Sequence, residues 1–395
     1  MKGPNSILDE YGTTIFTVMS ALATEHNAIN LGQGFPDTDG PQAVREAAAQ
    51  AFLNGPNQYP PMAGLPDLRQ AVAEHNKRFY GLDVDWQSEV IVTSGATEAL
   101  AACIFGLIEP GDEAVLIEPL YDSYLPILRR AGAVPKLVRI EPPEWKLPLD
   151  QLAAAFSDKT KLILFNTPMN PSAKVFTREE LEFIAKLMLK HDTYAICDEV
   201  YEHLVYDSRQ HIPLMTLPGM RDRCLRIGSA GKTFSMTGWK VGYTTGAPAL
   251  VTAVARAHQF LTFTTPPGLQ KAVADGLRQD DAYFAGLSSD LQRKRDRVAR
   301  GLAEIGFGVM QSQGTYFIGV DFRPLGFNGD DVEFCKYITT EAGVAAVPFS
   351  AFYKDGVKSG VDHFARFCYC KQDSLLDAAI ERLATHFKTR NPKKK

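Results

Sequence analysis

The sequence predicts an α/β protein built on a mostly parallel sheet covered by helices, with a smaller α+β domain at its carboxyl end. Three features predict it. From about position 89 to 247 short apolar runs alternate with amphipathic segments, a charged segment with helical periodicity follows at about 281–305, and strand-like runs of different texture occupy the remainder. At 395 residues the chain exceeds what one compact core organises, so two domains sharing an interface are expected.

The candidate strands of the sheet are the apolar runs 89–93, 114–117, 161–166, 194–197, 224–227 and 241–245. Between two of them, Thr177-Arg178-Glu179-Glu180 is a capping-box pattern followed by Leu181, Ile184 and Leu187 at helical spacing, which predicts a helix there. The segment 281–305 predicts a long helix bridging the sheet to the carboxyl-terminal part. There the candidate strands are 308–310, 316–320, 344–347 and 364–370, with helical patterns between and after them. The division that follows is an amino-terminal arm contributing to the small domain over 1–45, a large domain over 46–285 and a small domain over 286–395. Internal repeats and low-complexity linkers are absent from the sequence, so the domains are expected to pack closely.

Apolar content of 45%, charged content of 22% and a formal charge of -4 give no global basic field to attract nucleic acid, and point to a small-molecule partner. No apolar run is long enough to cross a bilayer, and the first residues lack the apolar core of a secretion signal, so a cytoplasmic protein is expected. The six cysteines (Cys103, Cys197, Cys224, Cys335, Cys368 and Cys370) show neither metal-ligand nor disulfide spacing and read as reduced core residues. The closing Lys393-Lys394-Lys395 reads as a solvated end.

Ligands of such a sheet bind beyond the carboxyl ends of its strands, which gives weight to the residues there. Lys232 follows the apolar run 224–227 and falls in a turn of small and hydroxyl residues, from Gly228 to Tyr243. An amine held among small residues and partly desolvated can act as nucleophile or proton carrier near neutral pH, as Schiff-base chemistry requires. Two other readings stand beside it: an ordinary loop lysine, and a phosphate loop around Gly231-Lys232-Thr233, which would need glycine where Arg226 stands. Ser94-Gly95-Ala96-Thr97 is a small-residue turn opening an apolar helix, suited to a phosphate or simply to a tight connection. Asp198-Glu199-Val200-Tyr201 puts acid at the end of a buried strand, where its partner is either a protonated ring nitrogen or a structural arginine. Asn166-Thr167-Pro168-Met169-Asn170-Pro171 is a turn-rich strand end, and Arg366 sits in an apolar run where its guanidinium needs an anion or solvent.

Taken with Gly32-Gln33-Gly34-Phe35-Pro36 and Asn57-Gln58-Tyr59, these motifs stand in one order along the chain. From about position 30 to 387 the chain resembles the fold-type I, pyridoxal-phosphate-dependent aminotransferases of classes I and II. The wording is nearest to the kynurenine, glutamine and methionine aminotransferases and to a bacterial N-succinyldiaminopimelate aminotransferase. The resemblance implies a seven-stranded sheet sandwiched by helices, and pyridoxal 5'-phosphate bound covalently to Lys232, with Asp198 keeping its ring nitrogen protonated. It further implies that Tyr201 and Asn170 bond the ring's phenolic oxygen, that Tyr121 stacks on the ring, and that Gly95, Ala96, Thr97, Ser229 and Lys240 surround the phosphate. Gly34, Asn170 and Arg366 would hold the substrate's α-carboxylate.

Tyr59 would reach the neighbouring subunit's phosphate, which implies a homodimer. The reaction implied is ping-pong transfer of an amino group from an amino acid to a 2-oxo acid, with neutral, aromatic or sulfur-containing donors favoured. A carbon–sulfur β-lyase on the same scaffold is the alternative activity, as is N-succinyldiaminopimelate transamination as the specific one. The run Phe260-Leu261-Thr262-Phe263-Thr264-Thr265 either borders the side-chain pocket or is a helix end with core phenylalanines. Two positions depart from the common pattern: Lys240 stands where many members have arginine, and Ser172-Ala173 replaces threonine and glycine, which restricts the backbone beside Asn170.

Overall fold

The computed structural model describes residues 2–390, so the closing lysines lie outside the described residues. Seven strands form the main sheet: β1 (Val90–Thr93), β2 (Glu113–Glu118), β3 (Val134–Arg139), β4 (Thr160–Asn166), β5 (Tyr194–Asp198), β6 (Cys224–Ser229) and β7 (Gly242–Gly246). Their order is β1-β7-β6-β5-β4-β2-β3. Strands β2 to β6 run parallel, and β7 is antiparallel to both β6 and β1.

Both faces of the sheet are covered, which explains why its strands read as continuous apolar runs. In β4, Leu162 and Leu164 pack with one core and Ile163 and Phe165 with another, as period-two alternation requires. The first core includes Ala99, Leu100 and Cys103 of helix α1 (Ala96–Leu107). The second includes Leu181, Ile184 and Met188 of helix α2 (Arg178–His191), whose Thr177–Glu180 capping box is fully formed. The six expected strands all form. Strand β3 was not expected, because as an edge strand it buries only Val138 and carries Pro135, so no apolar run announces it.

The 25-residue helix α3 (Asp281–Ile305) leads to a second, antiparallel sheet of β8 (Gly308–Val309), β9 (Phe317–Asp321), β10 (Val347–Pro348) and β11 (Phe364–Cys368), in the order β10-β11-β9-β8. The strand expected at 344–347 divides in two. Val344–Ala345 pairs in parallel with Ile29–Asn30 near the amino terminus, while Val347 opens β10. Among the described residues no helix is long and apolar enough to cross a membrane.

Candidate active site

The carboxyl ends of β4, β5 and β6 and the amino end of α1 meet the second sheet around a cavity of about 380 Å³. Of the thirteen residues expected at the site, twelve line it: Gly34, Gly95, Ala96, Thr97, Tyr121, Asn170, Asp198, Tyr201, Ser229, Lys232, Lys240 and Arg366. Tyr59 does not. Expected at the neighbouring subunit's site instead, it is 85% exposed and meets Phe263 edge-on at 5.6 Å.

Lys232 stands in a one-turn helix, Ala230–Thr233, that follows β6 directly and is otherwise buried. Its Nζ donates to the Tyr316 hydroxyl at 3.1 Å and to the Gly34 carbonyl at 3.4 Å, and burial holds its pKa below the usual lysine value. Asp198 ends β5, and burial raises its carboxyl to about 6 against the opposing Tyr124 hydroxyl, Val200 N–H and Lys232 amine. Tyr124 donates to Asp198 Oδ2 at 2.5 Å. The structural-arginine reading of that motif belongs to its neighbours: Arg226 bonds both Glu199 and Glu202, leaving Asp198 facing the cavity. Arg226 thus occupies the position where a phosphate loop would need glycine, and does so as a buried ion-pair partner.

At the opposite wall, Arg366 lies in the middle of β11 between Gly319 and Val347 and is fully buried. Its Nη1 donates to Asn170 Oδ1 at 2.7 Å and its Nη2 to the Gly32 carbonyl at 2.6 Å, while Nε has no partner. Asn170 in turn donates its backbone N–H to Asn166 Oδ1 at 2.7 Å, and Asn166 Nδ2 donates to the Asp198 carbonyl at 2.8 Å. Ala173, where the resemblance expects glycine, takes a left-handed φ of 59°, and its carbonyl accepts from Gln313 and Gly314, so the asparagine loop closes without glycine.

The turn at Gly95 is the anion end of the cavity. Gly95 has φ 81°, no side chain caps α1, and Gly95, Ala96 and Thr97 line the cavity, so the positive end of the helix opens onto it. A Cβ on Gly95 would stand 3.3 Å from Lys240 Nζ, so glycine is what lets the ammonium close over that end. Two residues of the site were not anticipated, Tyr124 and Tyr316, and Asn166 was singled out only as part of a turn-rich strand end, without a role. Tyr124 and Asn166 reach Asp198 from 74 and 32 positions away and Tyr316 reaches Lys232 from 84, contacts that no local pattern encodes.

A half-buried amine and a buried carboxylate facing a cavity with a helix amino end and Lys240 at one side are the arrangement a pyridoxal-phosphate enzyme needs. The description "Aminotransferase class I and II" matches residues 26–383. The probable N-succinyldiaminopimelate aminotransferase DapC of Mycobacterium tuberculosis is 45% identical over 387 residues, covering 96% of this chain and 97% of the relative. Methionine aminotransferase of Escherichia coli is 42% identical over 381 residues, covering 96% and 97%. The solved structure of the N-succinyldiaminopimelate aminotransferase from Mycobacterium tuberculosis superposes with a TM-score of 0.94 at 45% identity, over 97% of this chain and all of that one. The chain belongs to the class I and II aminotransferases and uses pyridoxal 5'-phosphate. The residues present fit that group: the Gly95 cradle suits a phosphate, and Asp198, as a buried acid with no cationic side chain bonded to it, suits a protonated ring nitrogen.

The raised Asp198 pKa has a measurable cost in the cofactor-free protein. A folded value of about 6 lies above the unfolded value of about 3.9, so the contribution to stability is full below pH ~4 and is lost as pH rises through 6, on the order of 3 kcal/mol. Cofactor-free Asp198→Asn is expected to resist urea better than the parent at pH 8, with the gap narrowing at pH 5, while its holoenzyme is slower. An equal gap at both pH values would contradict the assignment.

Proposed function

We propose that the chain transfers the α-amino group of neutral, aromatic or sulfur-containing amino acids to a 2-oxo acid. The observation that carries this reading is the charge count of the cavity. Lys232, Lys240 and Arg366 are the cationic side chains lining it among the described residues. With Lys240 at the phosphate cradle and Lys232 at the reacting carbon, Arg366 alone remains for carboxylates, enough for one. Its walls are aromatic: the guanidinium carbon lies 4.0 Å from the ring centre of Phe317, 5.0 Å from that of Phe352 and 5.3 Å from that of Phe16.

In this reading Arg366 and Asn170 fix the substrate's α-carboxylate, which orients the α-carbon toward Lys232. The bound pyridoxal phosphate supplies an electron sink for the α-carbanion character that develops there. Burial lowers the pKa of Lys232, which favours the free amine, the form that would take the α-proton and return it elsewhere. Burial pushes the Tyr201 phenol up, keeping it a hydrogen-bond donor beside that amine. Tyr121 and the Gly95–Thr97 turn with Ser229 and Lys240 hold ring and phosphate.

A panel of amino donors with 2-oxoglutarate and pyruvate as acceptors tests the reading: methionine, phenylalanine and similar donors are expected to give the highest kcat/KM. Aspartate as best donor by a wide margin would overturn it. A second reading, N-succinyldiaminopimelate transamination, is favoured by the 45% identity to the mycobacterial relative and would appear as a preference for that donor–acceptor pair. Release of pyruvate and thiol from a cysteine conjugate without any acceptor would mark β-lyase activity.

The working unit in this proposal is a homodimer. Phe105, Phe260 and Leu261 share one surface groove, Tyr59 rests on Phe263, and all five side chains are more than 40% exposed, which favours a covering partner. Neither expectation for the 260–265 run describes its phenylalanines within one subunit, since they are exposed and line no part of that subunit's cavity. With Tyr59 serving the partner's phosphate, sedimentation should give an active dimer, and activity in a monomer fraction would contradict it. The domain division at 45 and 285 is supported by the two sheets, which fall on either side of the second boundary. Six free, buried cysteines fit a cytoplasmic protein.

A further inference from the structure

Cys368 and Cys370 place their sulfurs 3.0 Å apart. A disulfide bond is about 2.05 Å long, so closure needs the sulfurs to approach by roughly 1 Å. Two residues of extended chain span about 6.6–7.2 Å between α-carbons, at the upper edge of what a disulfide bridges. Cys368 is the last residue of β11, paired with Phe317, and Cys370 lies two residues on, beyond the end of the strand. A two-residue spacing that argued against a disulfide on sequence grounds is therefore overridden by the strand's end.

The pair is buried, Cys368 fully and Cys370 at 4% exposure, and lies behind the cavity on the strand that carries Arg366 rather than in its lining. Arg366 and Cys368 are two apart in β11 and share a face. The Cys368 N–H donates to the Leu31 carbonyl at 2.7 Å, next to the Gly32 carbonyl that holds Arg366, and the Tyr369 N–H donates to the Tyr316 carbonyl at 2.9 Å. Burial raises the Cys368 thiol, but its hydrogen bond with Cys370 and the charges of Lys371 and Arg366 outweigh that and bring it to about 7, favouring the nucleophilic thiolate.

We propose that Cys368 and Cys370 are an oxidant-sensitive dithiol, closed to a disulfide by a hydroperoxide, whose closure draws β11 inward and loosens the grip of Arg366 on the substrate carboxylate. The Cys368 thiolate attacks one peroxide oxygen and releases hydroxide, forming a sulfenic acid. The Cys370 thiol then displaces that hydroxyl as water. The two sulfurs together give up two electrons, the peroxide is reduced, and the sum is two thiols and hydrogen peroxide to one disulfide and two waters. The effect on catalysis rests on the role assigned to Arg366; the disulfide itself does not.

The experiment treats holoenzyme with hydrogen peroxide, blocks remaining thiols with iodoacetamide and digests with trypsin, which releases Phe367-Cys368-Tyr369-Cys370-Lys371 as one peptide. That peptide is expected to lose two hydrogens and escape alkylation. The KM for the amino donor is expected to rise about tenfold, to return with dithiothreitol, and to stay constant in peroxide-treated Cys370→Ser. A peptide alkylated at both cysteines overturns the site. Equal inactivation of Cys370→Ser also overturns it, and would place the damage elsewhere, for instance at Cys197 and Cys224 on adjacent strands. A disulfide with unchanged KM overturns the coupling. Failure of the Arg366 role would show separately, as an unchanged KM in reduced Arg366→Ala.

Discussion

Lys232→Ala is expected to fold, to bind pyridoxal phosphate without a covalent bond, and to lose at least about 10³-fold in kcat. Folding should survive because the substitution orphans no polar group: the Tyr316 hydroxyl, which accepts from Lys232 Nζ, also donates to the Gly34 carbonyl at 2.7 Å and keeps that bond. Activity should not survive, because among the described residues no other amine lines the cavity near Asp198; Lys240 is held at the Gly95 turn. Lys232→Arg sharpens the test. It restores the positive charge but not a base, since a guanidinium stays protonated, so it should be as slow as the alanine variant. Borohydride treatment followed by mass measurement reads the covalent bond, and single-turnover kinetics read the proton transfer. An alanine variant retaining a tenth of the parental rate would remove Lys232 from the chemistry.

How far this site could be read in advance followed the range of its contacts. Lys232, Asp198 and the Gly95 turn each end a buried strand or open a helix, so an apolar run beside them marks their place in the sheet. Arg366 was marked by the opposite signal, a charge inside an apolar strand. Residues whose importance lies in one long-range hydrogen bond gave no such mark. Tyr124 sits in an ordinary helix, and nothing nearby in sequence reveals that it bonds Asp198. Tyr316 precedes a strand as many tyrosines do, yet it joins Gly34 to Lys232 across the two sheets. Even the acidic motif divided only in three dimensions, where Arg226 on the neighbouring strand takes Glu199 and leaves Asp198. Strand β3 escaped for a related reason: its stability comes from pairing with β2 rather than from an apolar pattern of its own.

Arg366→Ala is expected to lower kcat/KM for amino acids by about 10²–10³-fold, the worth of a buried, charge-assisted, two-pronged contact of about 3–4 kcal/mol. A primary amine lacking the carboxylate should react equally slowly with parent and variant, which separates recognition from chemistry. Before substrate arrives the guanidinium is held by two neutral oxygens, those of Asn170 and Gly32, and its Nε–H is buried without a partner. Burial accordingly drops its pKa to about 10, the mark of a desolvated cation lacking an anion. A carboxylate supplies that anion and satisfies the free N–H, so binding relieves a cost already built into the folded protein. Truncation strands no buried charge, but it removes the donor from the buried Asn170 and Gly32 oxygens and empties the space beside Phe317, so a loss of stability of about 1–3 kcal/mol is expected beside the loss of recognition. Arg366→Lys keeps the charge but not the fork, and should recover only part of the loss, as a raised KM. If the alanine variant discriminates amino acids from the bare amine as strongly as the parent does, another group holds the carboxylate and the orientation proposed for the substrate is wrong.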